Sequence, residues 1–363
     1  MEKIFFVHSV NVIGGAERVT LAIISGIKPN YQSVMLAPKG KELGIAAEHA
    51  GAKFEPAYLI QPEKSKPFNF IKQLWQYYLI FKKHKPILVH SGDLLALRSL
   101  QPICKLLNIP MICHVHFPYE ESFMRWSLKN RYAPHTFIFC SNELKSYLFD
   151  ELTALCPNSA MKVIHNGVDT NVFKPLENHH NPIPRIGIIA NLQYRKGHDD
   201  FLDMAKILIE QGIDAQFDII GGDILQEPRE PYLKQKAKKL GIADKVVFHG
   251  QLLDVKAELQ KLDIVVCASH EEAFPISILE AMACGKVIVS TNVNGIPEAL
   301  THQENSLLVK PHSPEDLACQ ITLVIKQIKS SVIAKQARKT VEEKFSINVF
   351  ISKIKKVYEI KKH

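Results

Sequence analysis

Residues 263–300 read DIVVCASHEEAFPISILEAMACGKVIVSTNVNGIPEAL, and the order of residue types in this stretch decides the fold. Ile264–Cys267 is a short apolar, β-branched run, the pattern of a strand buried on both faces. A polar turn, Ser269-His270-Glu271-Glu272-Ala273-Phe274-Pro275, leads into a helix expected from about Pro275 to Cys284. Proline in a first helical turn loses no hydrogen bond, because its missing N–H has no partner there. The helix start thus leaves free N–H groups at the carboxyl edge of a sheet, where a phosphate is the ligand they suit. Glu272 and Glu280 have seven residues between them, and Glu280 lies in the apolar context Ile278–Ala283. A carboxylate there needs a partner. Either a basic side chain or the hydroxyls of a ribose or sugar would serve.

Outward from this stretch, short β-rich runs alternate with helical patterns along most of the 363 residues. Strands are predicted at Ile4–Val7, Ser33–Leu36, Ile87–His90, Pro110–His116 and Thr136–Phe139, then at Arg185–Ala190, Phe217–Ile220, Val246–Phe248, Ile264–Val266 and Val287–Val289. Such alternation means βαβ units and parallel sheets covered by helices. The clearest linker is Phe173–Pro184, with three prolines and the polar Glu177–Asn181. The expected domains are 1–175, 176–344 and a terminal amphipathic helix, 345–363, carrying Val349, Phe350, Ile354, Val357 and Tyr358 on one side.

Composition narrows the class. With 46% hydrophobic and 23% charged residues the chain is an ordinary globular one, not disordered, collagenous or a disulfide scaffold. Seven dispersed cysteines without C-x-x-C spacing read as reduced core thiols of a cytosolic protein. The first residues turn polar by His8, unlike a signal peptide, and no apolar run reaches the ~18 residues of a membrane span. The formal charge of +8 is uneven: residues 1–175 carry 20 Lys and Arg against 13 Asp and Glu, residues 176–344 carry 20 against 23, and residues 345–363 carry 5 against 1. The G-x-G-x-x-G of a nicotinamide dehydrogenase and the P-loop of an ATPase are both missing. There is no Asp-x-Asp pair, and the histidines lack metal-ligand spacing, so no metal is expected.

Ser269, Glu272-Ala273-Phe274-Pro275, Glu280-Ala281-Met282-Ala283-Cys284-Gly285 and Gly295-Ile296-Pro297-Glu298 closely resemble the donor-binding signature of retaining glycosyltransferase family 4. Gly14-Gly15-Ala16-Glu17 resembles its glycine-rich first loop, His116 stands where the family places an active-site histidine, and His165-Asn166-Gly167-Val168-Asp169 resembles its turn before the interdomain linker. That last motif is expected to be structural, its Asn-Gly pair forming a positive-φ turn. The resemblance implies the GT-B fold: α/β, two Rossmann-like domains with parallel sheets facing a central cleft, the N-terminal one binding acceptor and the C-terminal one a nucleotide-sugar. By the same resemblance Glu272, Lys196 and His116 are catalytic. Gly14, Gly15, Asn191, Arg195, Lys196, Glu272, Ala273, Phe274, Pro275, Ile276 and Glu280 bind the donor, Glu280 through its ribose. In the stretch Ala190–Gly197 the sequence departs from the family, because Asn191 occupies the place of an arginine that holds the leaving diphosphate. Asn keeps a donor and loses the charge, so transition-state stabilisation there weakens unless Arg195 substitutes.

The implied activity is metal-independent, retaining transfer of a sugar from a nucleotide-sugar, UDP-linked, to a glycan or lipid-linked acceptor in cell-surface polysaccharide synthesis. No cofactor is required. Two alternatives stand beside it: a nucleotide-sugar 2-epimerase, and a catalytically silent sugar-nucleotide-binding subunit, which Asn191 motivates. Nucleic acid is not an expected partner, since the basic charge lacks base-stacking motifs. A helix over Phe68–Lys85, with Phe68, Ile71, Leu74, Trp75, Tyr78, Leu79 and Phe81 and a Lys82-Lys83-His84-Lys85 end, reads first as core-facing and second as a contact with an anionic membrane. The expected location is cytoplasmic, peripheral on the inner face of the membrane.

Overall fold

The computed structural model describes residues 1–40, 42–57, 59, 61, 67–129, 131–176, 181–223, 228–252, 254–326 and 330–359; Glu177–His180 of the expected linker lie outside them. Two compact units result, Met1–Asn166 with Ile347–His363 and Gly167–Ser346.

In the first unit strands and helices alternate as β1 (Lys3–Val7), α1 (Gly15–Ile27), β2 (Gln32–Ala37), α2 (Glu42–Ala50), β3 (Ala52–Pro56), α3 (Pro67–His84), β4 (Leu88–Ser91), α4 (Leu94–Leu107), β5 (Met111–Val115), α5 (Glu121–Leu128), β6 (Thr136–Phe139), α6 (Asn142–Leu155) and β7 (Ala160–Val163). The second contains β8 (Arg185–Ile189), α7 (His198–Glu210), β9 (Gln216–Ile220), α8 (Glu230–Lys239), β10 (Val246–Gly250), α9 (Lys256–Lys261), β11 (Ile264–Cys267), α10 (Ile276–Ala283), β12 (Val287–Thr291), β13 (Leu307–Val309), α11 (Pro314–Lys326) and α12 (Ser330–Lys344). A last helix, α13 (Ile347–Tyr358), returns to the first unit.

The strand orders are β3-β2-β1-β4-β5-β6-β7 and β10-β9-β8-β11-β12-β13, with every pairing parallel. Ile4, Phe5, Phe6 and Val7 of β1 and Phe137, Ile138 and Phe139 of β6 are fully buried, as strands covered on both faces require. In the second unit Ile186, Ile188, Phe217, Ile219, Ile264 and Val266 form the core with Phe201, Leu202 and Met204 of α7. Residues 167–175 belong to this unit because Val168 N–H donates to Phe345 O at 3.0 Å and Arg338 donates to the carbonyls of Thr170 and Phe173.

Four expectations need correction. Neither Asn166 nor Gly167 takes a positive φ, so the segment His165–Asp169 does not turn in the way its Asn-Gly pair suggests. Strands β3, β7 and β13 were not predicted. Cys319 is exposed, so it is not a core thiol, whereas the other six cysteines are buried. Helix α3 also divides its aromatic residues between two faces. Gln73, Tyr77, Phe81 and His84 point inward, while Phe68 (83% exposed), Ile71 (60%), Trp75 (61%) and Leu79 (49%) follow one another along the opposite side.

Candidate active site

In each sheet the order reverses beside the unit's first strand, between β1 and β4 and between β8 and β11. Parallel sheets bind ligands at the carboxyl ends of such strands, where the two connections diverge.

In the second unit β8 runs into Ala190–Gln193 and a 3-10 turn, Tyr194–Lys196. Gly197 then opens α7 with a φ of 70°, and a Cβ on it would land on the carbonyl of Ala268, just past β11. Glycine is therefore demanded twice, by the left-handed backbone and by the close approach. That approach brings Lys196 against the β11–α10 loop, where its Nζ donates to Glu272 Oε2. Both side chains are largely enclosed, 12% and 11% exposed. The loop is fixed in turn by Glu272 N–H on Asn294 Oδ1 (3.2 Å), Gly295 N–H on Glu272 O (3.1 Å) and Thr291 Oγ1 on Ser269 O (2.6 Å).

Pro275 proves to be the N-cap of α10, with extended φ −77° and ψ 125°, and not its first helical residue. Its side chain offers no acceptor. The N–H groups of the first turn, beginning at Ile276, thus carry no side-chain cap and are free for an anionic group. Ala273 and Ile276 are half-buried at this start, and Phe274 is buried with its ring 5.5 Å from that of Phe345. Glu280 is buried within α10. Arg195 is tied to the same loop: its carbonyl accepts from His270 N–H at 2.7 Å, and its Nη1 reaches the Glu271 carbonyl at 3.5 Å. Asn191 Oδ1 is enclosed without a hydrogen-bond partner among the described residues.

In the first unit His8 follows β1, and a Cβ on Gly92, after β4, would strike its ring. His8 Nδ1 faces Glu17 Oε1 at 3.1 Å and its Nε2 pairs with Thr20 Oγ1 at 2.8 Å. Glu17 also accepts from Gly14 N–H at 2.9 Å, a capping-box contact that orders the Gly14-Gly15 turn at the head of α1. Burial acts to raise the Glu17 pKa, but His8 and the turn's N–H groups outweigh it and hold the carboxyl below its usual value. Sequence reasoning did not single out His8 and Glu17. The signal was there in an acid three residues after an N-cap glycine.

His116 lies one residue past β5. Its ring is 4.2 Å from that of His114, whose Nδ1 is 3.3 Å from His90 Nε2, and His90 Nδ1 meets Tyr358 Oη. Burial, reinforced by the neighbouring histidines, pushes the His90 and His116 pKa values down to about 3 and His114 well below its ordinary value. His116 is therefore a neutral imidazole whose Nε2 has no partner among the described residues. It can exchange a hydrogen bond with a hydroxyl and cannot supply a proton as a cation.

The chain has relatives of known structure and function. The crystal structure of Anabaena Alr3699/HepE in complex with UDP and glucose superposes with a TM-score of 0.86 over 99% of this chain and 100% of that one, at 20% identity. An N,N'-diacetylbacillosaminyl-diphospho-undecaprenol alpha-1,3-N-acetylgalactosaminyltransferase of Campylobacter jejuni is 29% identical over 177 residues, 48% of this chain and 44% of that protein. A UDP-Gal:alpha-D-GlcNAc-diphosphoundecaprenol alpha-1,3-galactosyltransferase of Escherichia coli is 23% identical across 98% of this chain and 96% of its own length. The first of these curated relatives is thus matched over less than half its length. Residues 13–172 match Glycosyltransferase Family 4 and residues 170–340 match Glycosyl transferases group 1, so the two profiles together run from the glycine-rich turn through the Glu272–Glu280 segment. With two parallel-sheet domains of GT-B type, this chain belongs to the group 1, family 4 glycosyltransferases.

Proposed function

We propose that the chain is a retaining glycosyltransferase that moves a hexose-type sugar from a UDP-sugar to a glycan or lipid-linked acceptor in cell-surface polysaccharide synthesis, without a catalytic metal. The Lys196–Glu272 pair beside the uncapped start of α10 carries this reading. A lysine held by one carboxylate can transfer its charge to a departing diphosphate, the freed carboxylate can hold sugar hydroxyls, and the helix N–H groups can take the phosphates. The acceptor hydroxyl attacks the anomeric carbon from the face the diphosphate leaves, and its proton passes to a leaving phosphate oxygen. His116, a neutral imidazole suited to a sugar hydroxyl, and the Gly14-Gly15 turn are assigned to substrate binding. Glu280 is assigned to the ribose, and Asn191 and Arg195 assist at the phosphates.

The lipid-linked acceptor is supported by the Campylobacter and E. coli relatives, both named for diphospho-undecaprenol substrates. A peripheral position at the cytoplasmic membrane face is supported by α3. Its exposed Phe68, Ile71, Trp75 and Leu79 are flanked by exposed Lys72 and Lys82, an apolar stripe with cations beside it. Among the described residues no single helix is long and apolar enough to cross a membrane.

Purified protein with a panel of UDP- and GDP-sugars, with and without a lipid-diphosphate acceptor, tests the whole reading. UDP release that requires acceptor, with retained anomeric configuration in the product, is the expected result. Tight binding without release under any acceptor would leave the silent subunit that Asn191 motivates, and isotope exchange at the sugar carbon without acceptor would leave the epimerase.

A further inference from the structure

Three segments far apart in sequence converge in the second unit. Asp200 lies in the first turn of α7, His270 in the β11–α10 loop and His312 between β13 and α11. His270 Nε2 is 2.8 Å from Asp200 Oδ2, and the His270 and His312 rings stack with centroids 3.7 Å apart and planes 35° from parallel. One donor atom from each of the three residues lies within 4.8 Å of the other two. His312 reaches this place from a φ of 57°, a left-handed conformation that a residue other than glycine adopts at a cost of about 1 kcal/mol.

The donor set has a definite chemical preference. Two imidazoles and one carboxylate suit a borderline divalent transition ion such as zinc, whereas magnesium and calcium prefer all-oxygen sites. With metal–ligand bonds of about 2.0–2.1 Å, tetrahedral zinc holds its donors roughly 3.3 Å apart. The His270–Asp200 pair is slightly closer than that, and the remaining donors need move by at most about 1.5 Å. Asp200 and His270 are mostly enclosed while His312 is exposed, so the site is framed from inside and open to an incoming ion. A fourth position would be left for water.

We propose that Asp200, His270 and His312 bind a divalent transition ion, which acts as a clip on the donor loop and not as a catalyst. Neither Lys196 nor Glu272 is among the donors. His270 stands two residues before Glu272, and its backbone N–H is bonded to the carbonyl of Arg195, next to Lys196. An ion on its ring would join the first turn of α7, the Tyr194–Lys196 turn, the Glu272 loop and the β13–α11 connection.

The test uses the full chain, freed of metal by chelation. Titration with Co²⁺, followed by its visible d–d absorption and displaced by Zn²⁺, should show one saturable equivalent at micromolar concentrations, and Zn²⁺ should raise the melting temperature. His312→Gly removes the exposed imidazole and relaxes the positive φ, so the fold is retained. It should weaken the bound equivalent at least tenfold and abolish the thermal shift, and Asp200→Asn should weaken it as well. Metal uptake that survives His312→Gly unchanged would assign the ion to other side chains and overturn the proposal, as would an absence of saturable uptake by the unaltered chain. None of these readouts depends on sugar transfer.

Discussion

Lys196 and Glu272 come from connections that follow the neighbouring strands β8 and β11, and they neutralise each other at the carboxyl end of the sheet. Each is the other's counter-ion until an anion arrives. Lys196→Ala should reduce turnover by about 10²–10³-fold, the usual loss on removing a donor to developing negative charge. The melting temperature should change much less. Sugar transfer at the parent rate would remove Lys196 from the mechanism.

Glu280→Gln keeps the shape of the buried side chain and deletes the charge. If Glu280 holds the ribose as proposed, loss of that charged hydrogen bond should weaken UDP binding by roughly tenfold or more. Calorimetric titration measures this directly, and an unchanged affinity would point to a purely structural carboxylate.

Gly197→Ala should destabilise the second unit by at least about 2 kcal/mol, because it combines a φ of 70° with a collision at the Ala268 carbonyl. Urea unfolding followed by a reporter in that unit would show it. Gly212→Ala is the control: its φ of 75° is equally left-handed, but no atom of the described residues lies within 4 Å of the added Cβ, so its smaller loss isolates the strain from the collision.

The ladder of His90, His114 and His116 makes stability fall in acid. Each ring is held neutral in the fold, with His90 and His116 titrating near 3, but takes a proton near pH 6.5 once unfolded. The unfolded chain therefore binds more protons as pH drops from about 6.5 toward 3, and the stability present above that window is lost within it. The slope should approach about 1.4 kcal/mol per pH unit for each histidine. Denaturation midpoints between pH 7.5 and 5 should show a shallower slope in His116→Asn than in the parent.

Phe68→Ser combined with Trp75→Ser removes two exposed members of the α3 stripe. Retention on anionic liposomes at low salt should fall, with enzyme activity on a soluble acceptor unchanged. Equal retention of the parent on neutral liposomes would discard the electrostatic part of the membrane reading.

What the sequence disclosed follows from burial. Strands such as β1, β6 and β11 are enclosed on both faces and have neighbours on both sides, so they must be apolar runs and can be read as such. The strands that escaped notice, β3, β7 and β13, all lie at sheet edges, where Lys53, Glu55 and Lys162 are tolerated. The same contrast holds in the site. Lys196, Glu272 and Glu280 sit in contiguous stretches whose spacing carries information. The Asp200–His270–His312 group exists only after strand order has brought separate loops together, and no local spacing records it.

The packing of α13 has a consequence for synthesis. Gly26 lets α1 approach so closely that a Cβ there would collide with Ile351, and Tyr358 closes on His90 inside the first unit. The surface of α1 that receives this helix stays bare until residues 347–358 have left the ribosome, long after the second unit's segment has emerged. The first unit to be translated is thus the last to be completed. Premature stop codons or frameshifts after Ser346 should therefore show up as misfolding of the N-terminal half.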